Sequence, residues 1–137
     1  MVSPPHADFE HVVRAAVELD GIESAVVFVL RSGASDLALA AAAGIDGPPL
    51  DRLSDAVRNP AHPIARTITD GRASFDVLPT APGGPTLRSH LPIGVDRGAA
   101  HGAVLAVAHD QPLGPETRQL LERLATLAGS RPGDEGP

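Results

Sequence analysis

The sequence predicts an α+β domain: a central antiparallel β-sheet with N- and C-terminal helices packed on one face and short helices or loops on the other. Three observations carry this. Apolar residues near both ends recur at helical spacing, whereas the apolar segments between them are short and rich in β-branched residues. Clusters of Gly, Pro, Ser and Asp separate those segments as turns do. A chain of 137 residues fills one compact core and would leave two separate domains each marginal.

Within 8–20, Phe9, Val12, Val13, Ala16 and Val17 share one side of a helix, with Asp8 as its N-cap and Gly21 as its stop. Residues 24–31 include the run Ala25, Val26, Val27, Phe28, Val29 and Leu30, a strand short enough to be covered on both faces. Turn formers fill 31–36, and 37–43 reads as the partner strand of a hairpin. Alanines 40–43 favour helix by propensity, but their place between a turn and Gly44 favours strand. Leu50, Leu53, Ser54 and Val57 mark a short helix entered through Pro48 and Pro49. A second begins at Pro63, buries Ile64, Ala65 and Ile68, and ends at Gly71. Residues 73–78 form a strand and 79–85 a Pro/Gly-rich loop; 87–95 and 101–108 are two more strands across a hairpin-like connection at 96–98. In 115–128, Leu120, Leu121, Leu124, Leu127 and Ala128 form the apolar face of a last helix. The expected organisation is a flexible stretch at 1–7, one domain over 8–129 and a disordered tail at 130–137.

Composition excludes several classes of function. There is no cysteine, so disulfides, thiolate metal sites and thiol nucleophiles are absent. All eleven basic residues are arginine, and the net charge of -6 disfavours nucleic acid as a partner. No apolar run approaches the roughly 20 residues of a membrane-spanning helix. Residues 1–7 lack a basic cluster leading into a long apolar stretch, so no secretory signal and a cytoplasmic location are expected.

Among polar side chains, His90 stands out, because it interrupts an apolar strand beside Arg88 and Ser89. A neutral imidazole donates one hydrogen bond and accepts another, which suits orientation of a small polar ligand. The plainer reading is a histidine that faces solvent or a backbone carbonyl. Ser89 and His90 are adjacent on a strand and so point to opposite faces, a poor arrangement for a nucleophile and its base. His101 and His109 lie about 26 Å apart along an extended strand, too far to hold one metal together. His62 before Pro63 reads as a residue that opens a helix. There is no phosphate-binding glycine motif and no G-x-S-x-G, and neither a metal nor a cofactor is expected. Phe9, Phe28 and Phe75 are the only aromatics, so any pocket is aliphatic and small.

Several phrases, in order, resemble the GAF domain family of small sensory modules over roughly 8–128. His62-Pro63-Ile64-Ala65-Arg66-Thr67-Ile68-Thr69-Asp70-Gly71-Arg72 is similar to the family's helix, turn and "G-[RK]-P" lead into a strand, with Asp76 as the aspartate that follows. Leu87-Arg88-Ser89-His90-Leu91-Pro92-Ile93 resembles its "R-S-x-L-x-V-P-[IL]" strand, and Gly102-Ala103-Val104-Leu105-Ala106-Val107 its "G-[VA]-L-x-[LV]" strand. Leu113, Glu116, Leu120 and Leu121 stand where the family begins its last helix. The "N-K-x-F-D-E" signature of cyclic-nucleotide-binding members is missing, His109, Asp110 and Leu113 standing near its place. Members that bind bilins covalently or reduce free methionine sulfoxide use cysteines, which this chain lacks. Haem-binding members take a histidine from the loop before the "R-S" strand, and the loop at 79–86 has none.

The resemblance implies a non-catalytic sensory or regulatory domain whose ligand pocket is lined by Phe28, Ile64, Thr67, Phe75, Arg88 and His90. It also implies a homodimer paired through its terminal helices, at Phe9, Val12, Leu120, Leu124 and Leu127; the same residues equally serve to cover the sheet. The alternatives are a pocketless domain of the same fold that binds proteins, and an unrecognised enzyme.

Overall fold

The computed structural model describes residues 5–30, 37–78, 87–93 and 102–129. They form α1 (Pro5–Val17), β1 (Ile22–Leu30), β2 (Ala38–Ala43), α2 (Gly47–Ala56), α3 (Pro63–Asp70), β3 (Ser74–Val77), β4 (Leu87–Ile93), β5 (Gly102–His109) and α4 (Pro115–Gly129). The five strands make one sheet in the order β2-β1-β5-β4-β3, with every neighbouring pair antiparallel. This is the α+β arrangement expected, with α1 and α4 packed together on one face and α3 on the other.

Strands β1 and β5 pair from Ile22 with His109 to Leu30 with Gly102 and occupy the middle of the sheet. A central strand covered on both faces needs apolar residues at successive positions, which is why 103–109 are all buried. Alternation then divides the core in two. Ala25, Val27, Leu91, Leu105 and Val107 meet Phe9, Val13 and Ala16 of α1 and Leu121 of α4. Val26, Phe28, Val104 and Ala106 meet Leu53 and Val57 of the α2 segment and Ile64 and Ile68 of α3. Burying a single Val, Leu, Ile or Phe is worth about 1.5–3 kcal/mol, so each layer holds its helices on the sheet.

The alanines of β2 are extended, because pairing with β1 and cover from α1 outweigh a helix preference of under about 1 kcal/mol per residue. Gly44 follows with φ of 77°, and a Cβ there would stand 2.4 Å from the Glu23 carbonyl oxygen, so the turn into α2 excludes any side chain.

Boundaries and faces differ from expectation in places. Helix α1 begins at Pro5, which places Asp8 inside the helix instead of at its cap. The buried side of α4 is built on Leu121 and Ala125, with Leu124 and Ala128 packed partly against it, whereas Leu120 and Leu127 are 44% and 69% exposed. The expected loop at 79–85, the connection at 96–98 and the tail at 130–137 lie outside the described residues. Among the described residues no helix is long and apolar enough to cross a membrane.

Candidate functional site

Strand β4 carries a different polar chemistry on each face. Its register sets His90 opposite Ala106 and Arg88 opposite Ala108, facing the α3 side. Ser89, opposite Val107, faces α1 and α4.

On the α3 side, a short turn presents the helix. The Asn59 side chain accepts from the Ala61 amide at 3.0 Å and its carbonyl from the His62 amide at 2.9 Å. His62 then caps α3 by accepting the Ile64 amide on Nδ1 at 3.1 Å, and Pro63 takes the first helical position, where a missing N–H costs nothing. Gly71 closes the helix in the left-handed conformation, with φ of 66°. The His62 side chain, having used Nδ1 as an acceptor, carries its proton on Nε2 when neutral. That N–H has no partner among the described residues.

His90 is 2% exposed, and neither of its ring nitrogens has a hydrogen-bond partner among the described residues. Burial first, then the charge of Arg88 and the proximity of His62, push its imidazole down to about 3, so the ring is neutral near pH 7. Burial and Arg88 lower His62 likewise. Arg88 is itself half-buried, desolvation lowers it, and no carboxylate among the described residues pairs with it. The cluster therefore sets a half-buried guanidinium and a half-buried imidazole near one buried, neutral imidazole. Among the described residues no group of three or more His, Cys, Asp or Glu side chains is placed to hold a metal.

On the opposite face Ser89 and His109 form a chain of hydrogen bonds. The Gln111 carbonyl can only accept, so His109 donates to it from Nδ1 at 2.7 Å and receives the Ser89 hydroxyl on Nε2 at 2.9 Å. The Ser89 oxygen accepts the Asp76 amide at 3.1 Å. Asp76 sits at a bulge in β3 with φ of 57°, and its carboxylate accepts the Leu113 amide and the Arg118 guanidinium. Arg118 also lies over the Phe75 ring, 4.7 Å from its centroid. Serine bonded to histidine is the geometry of an activated nucleophile, but both side chains are fully buried and each polar atom is satisfied. The Ser89 hydroxyl is closed off from solvent, and the chain of bonds ties β3, β4 and β5 to the segment that leads into α4.

Of the residues expected to line a pocket, Phe28, Ile64, Thr67, Arg88 and His90 lie between the sheet and α3 or on α3 itself. The Thr67 hydroxyl donates back to the Pro63 carbonyl at 3.0 Å. Phe75 lies on the other face, packed with the α1/α4 core beneath Arg118, because Ser74 pairs with His90 and alternation then turns the next side chain away from α3. His62, expected only to open a helix, does so and also stands beside Arg88 and His90. Of the residues expected at a dimer interface, Phe9 and Val12 are spent on the chain's own core, Leu124 is half-buried, and Leu120 and Leu127 face outward.

No family model matches the chain, and no curated protein matches it in sequence. Solved structures do match in fold. The second GAF domain of DevS from Mycobacterium smegmatis superposes with a TM-score of 0.66 at 17% identity, over 92% of this chain and 91% of that one. A GAF domain/HD domain protein from Geobacter sulfurreducens gives 0.69 at 14% identity, over 94% and 92%. A type II free methionine-R-sulfoxide reductase from Thermoplasma acidophilum gives 0.69 at 13% identity, over 91% and 89%, so the same architecture also hosts an enzyme. Strand order, helix placement and these superpositions agree: this chain has the fold of a GAF domain.

Proposed function

We propose that this chain is a non-catalytic regulatory domain that binds a small polar molecule between β4 and α3. The observation that carries the reading is His90, a 2% exposed imidazole whose two nitrogens have no partner among the described residues. Leaving a buried polar group unsatisfied costs about 1–3 kcal/mol, and a ligand with one donor and one acceptor recovers that cost. Catalysis finds little support in the same residues. Ser89 and His109 are sealed inside the other face, and with no cysteine the chain has no thiol for reductase chemistry. Native mass spectrometry of freshly purified protein tests the reading: a retained mass lost on substituting His90→Leu supports it, and catalytic turnover that depends on Arg88 or His90 overturns the non-catalytic part.

A second part of the proposal is self-association through α4. Leu120 and Leu127 are apolar, exposed and on the terminal helix, where a second copy would cover them. Ligand binding would alter such a dimer only by favouring one of its arrangements over another.

A further inference from the structure

We infer that the ligand of the α3 face is a small oxyanion, a carboxylate or a phosphate ester, whose charge meets Arg88 while a neutral polar group on the same molecule meets His90. The inference rests on the reading that this face binds a ligand at all.

Arg88 is half-buried on β4 and has no carboxylate partner among the described residues. A guanidinium taken partly out of water without a counter-charge is poorly placed unless an anion completes it, and its flat fork of donors matches carboxylate and phosphate oxygens. His62 strengthens the preference, since Nδ1 is occupied by the Ile64 amide and only a donor, Nε2–H, is left to offer. His90 is neutral and supplies one donor and one acceptor, so it suits an amide or hydroxyl better than a second charge. Arg88 and His90 are two positions apart on a strand, so their Cα atoms lie about 7 Å apart on one face, close enough for one small molecule to reach both. The one aromatic on this face, Phe28, is fully buried among aliphatic side chains and offers no open ring for a nucleobase to stack on. A compact acid fits these groups better than a nucleotide.

The test uses the full chain with matched pairs of probes: glutaramate against glutaramide for the carboxylate source, and glycerol 3-phosphate against glycerol for the phosphate source. Binding is read from the His90 ring nitrogens by NMR and from the melting temperature. The expected result is that one anion binds at least tenfold more tightly than its neutral counterpart, that added salt weakens it, and that Arg88→Gln removes the preference while Arg88→Lys keeps part of it. Equal binding by the neutral member of a pair, or unchanged anion affinity in Arg88→Gln, overturns the charge assignment and leaves the ligand-binding reading standing. If no probe disturbs His90 and native mass spectrometry finds no retained mass, both fall together. Should Arg88→Gln fail to fold, the salt dependence and the anion-to-neutral ratio of the unmodified protein decide the matter.

Discussion

Asp76 on β3 holds the amide of Leu113 at 3.0 Å and the guanidinium of Arg118, so one carboxylate fastens an edge strand to the first turn of α4. Burial alone would raise its pKa, but the Leu113 amide, Arg118 and His109 together outweigh this and leave it lowered. Its stabilising contribution is therefore complete above the ordinary value of 3.8 and disappears as the pH falls through the lower folded value. Asp76→Ala removes both hydrogen bonds and puts a Cβ residue without local polar support at φ of 57°, which is expected to cost about 2–3 kcal/mol. Asp76→Asn tolerates that backbone and still accepts the Leu113 amide, and Arg118 is 40% exposed, so the expected loss is below about 1 kcal/mol. Urea titrations of the two variants at pH 7 should show that order; equal losses would rule out this account of the site.

Ser89 and His109 are a second pair whose worth can be isolated. Ser89→Ala leaves the Asp76 amide and the His109 Nε2 without their partner inside the fold, with an expected cost of about 2 kcal/mol. A double-mutant cycle with His109→Gln is expected to give a coupling of about 1 kcal/mol. Additive losses would mean that the two side chains act independently.

His90 makes a prediction about acid. The ring titrates at about 3 in the fold and at 6.5 when the chain is unfolded, so between those values the unfolded chain binds the proton first and stability falls as the pH drops. Arg88 and His62, the groups that act on it electrostatically, both hold the ring neutral. Between pH 7.5 and pH 5 this one residue is expected to remove roughly 2 kcal/mol, and His90→Leu should flatten that part of the profile. An unchanged slope in the variant would show that the imidazole is not shielded as described.

The leucines of α4 separate folding from association. Leu121→Ala empties a fully buried position and is expected to cost about 3 kcal/mol in denaturation. Leu127→Asp, at a position 69% exposed, should change stability by less than about 0.5 kcal/mol and shift the protein toward monomer in light scattering. Leu124→Asp would confuse the two effects, because Leu124 also packs on the core. A unmodified protein that is already monomeric at high concentration removes the dimer from the proposal.

The fold was readable where local signals and burial agreed. Residues 103–108 are apolar at every position and became a central strand, while Pro63 and Gly71 bracket α3 as their backbone preferences require. Alternation along β4 correctly sent Ser89 and His90 to opposite faces. What stayed hidden depends on register. Nothing local joins Ser89 to His109, which meet only because β4 and β5 pair as they do, and Phe75 faces α1 and α4 because Ser74 pairs with His90, a register that no local signal sets. On α4, counting leucines favoured Leu120 and Leu127, but the small Ala125 is the residue turned inward, where the helix lies close to the sheet.

The order β2-β1-β5-β4-β3 also bears on how the chain is made. Of the five strands of this sheet, the one that comes last in sequence is the one that joins the β1-β2 ribbon to the β3-β4 ribbon, so each half waits with an open edge until Gly102–His109 arrives. Fragments ending before that segment hold only the two separate ribbons, and assembly of the sheet waits on a slow, long-range closure by β5. A separately supplied peptide spanning 100–129 is thus the natural second half for a split version of this protein.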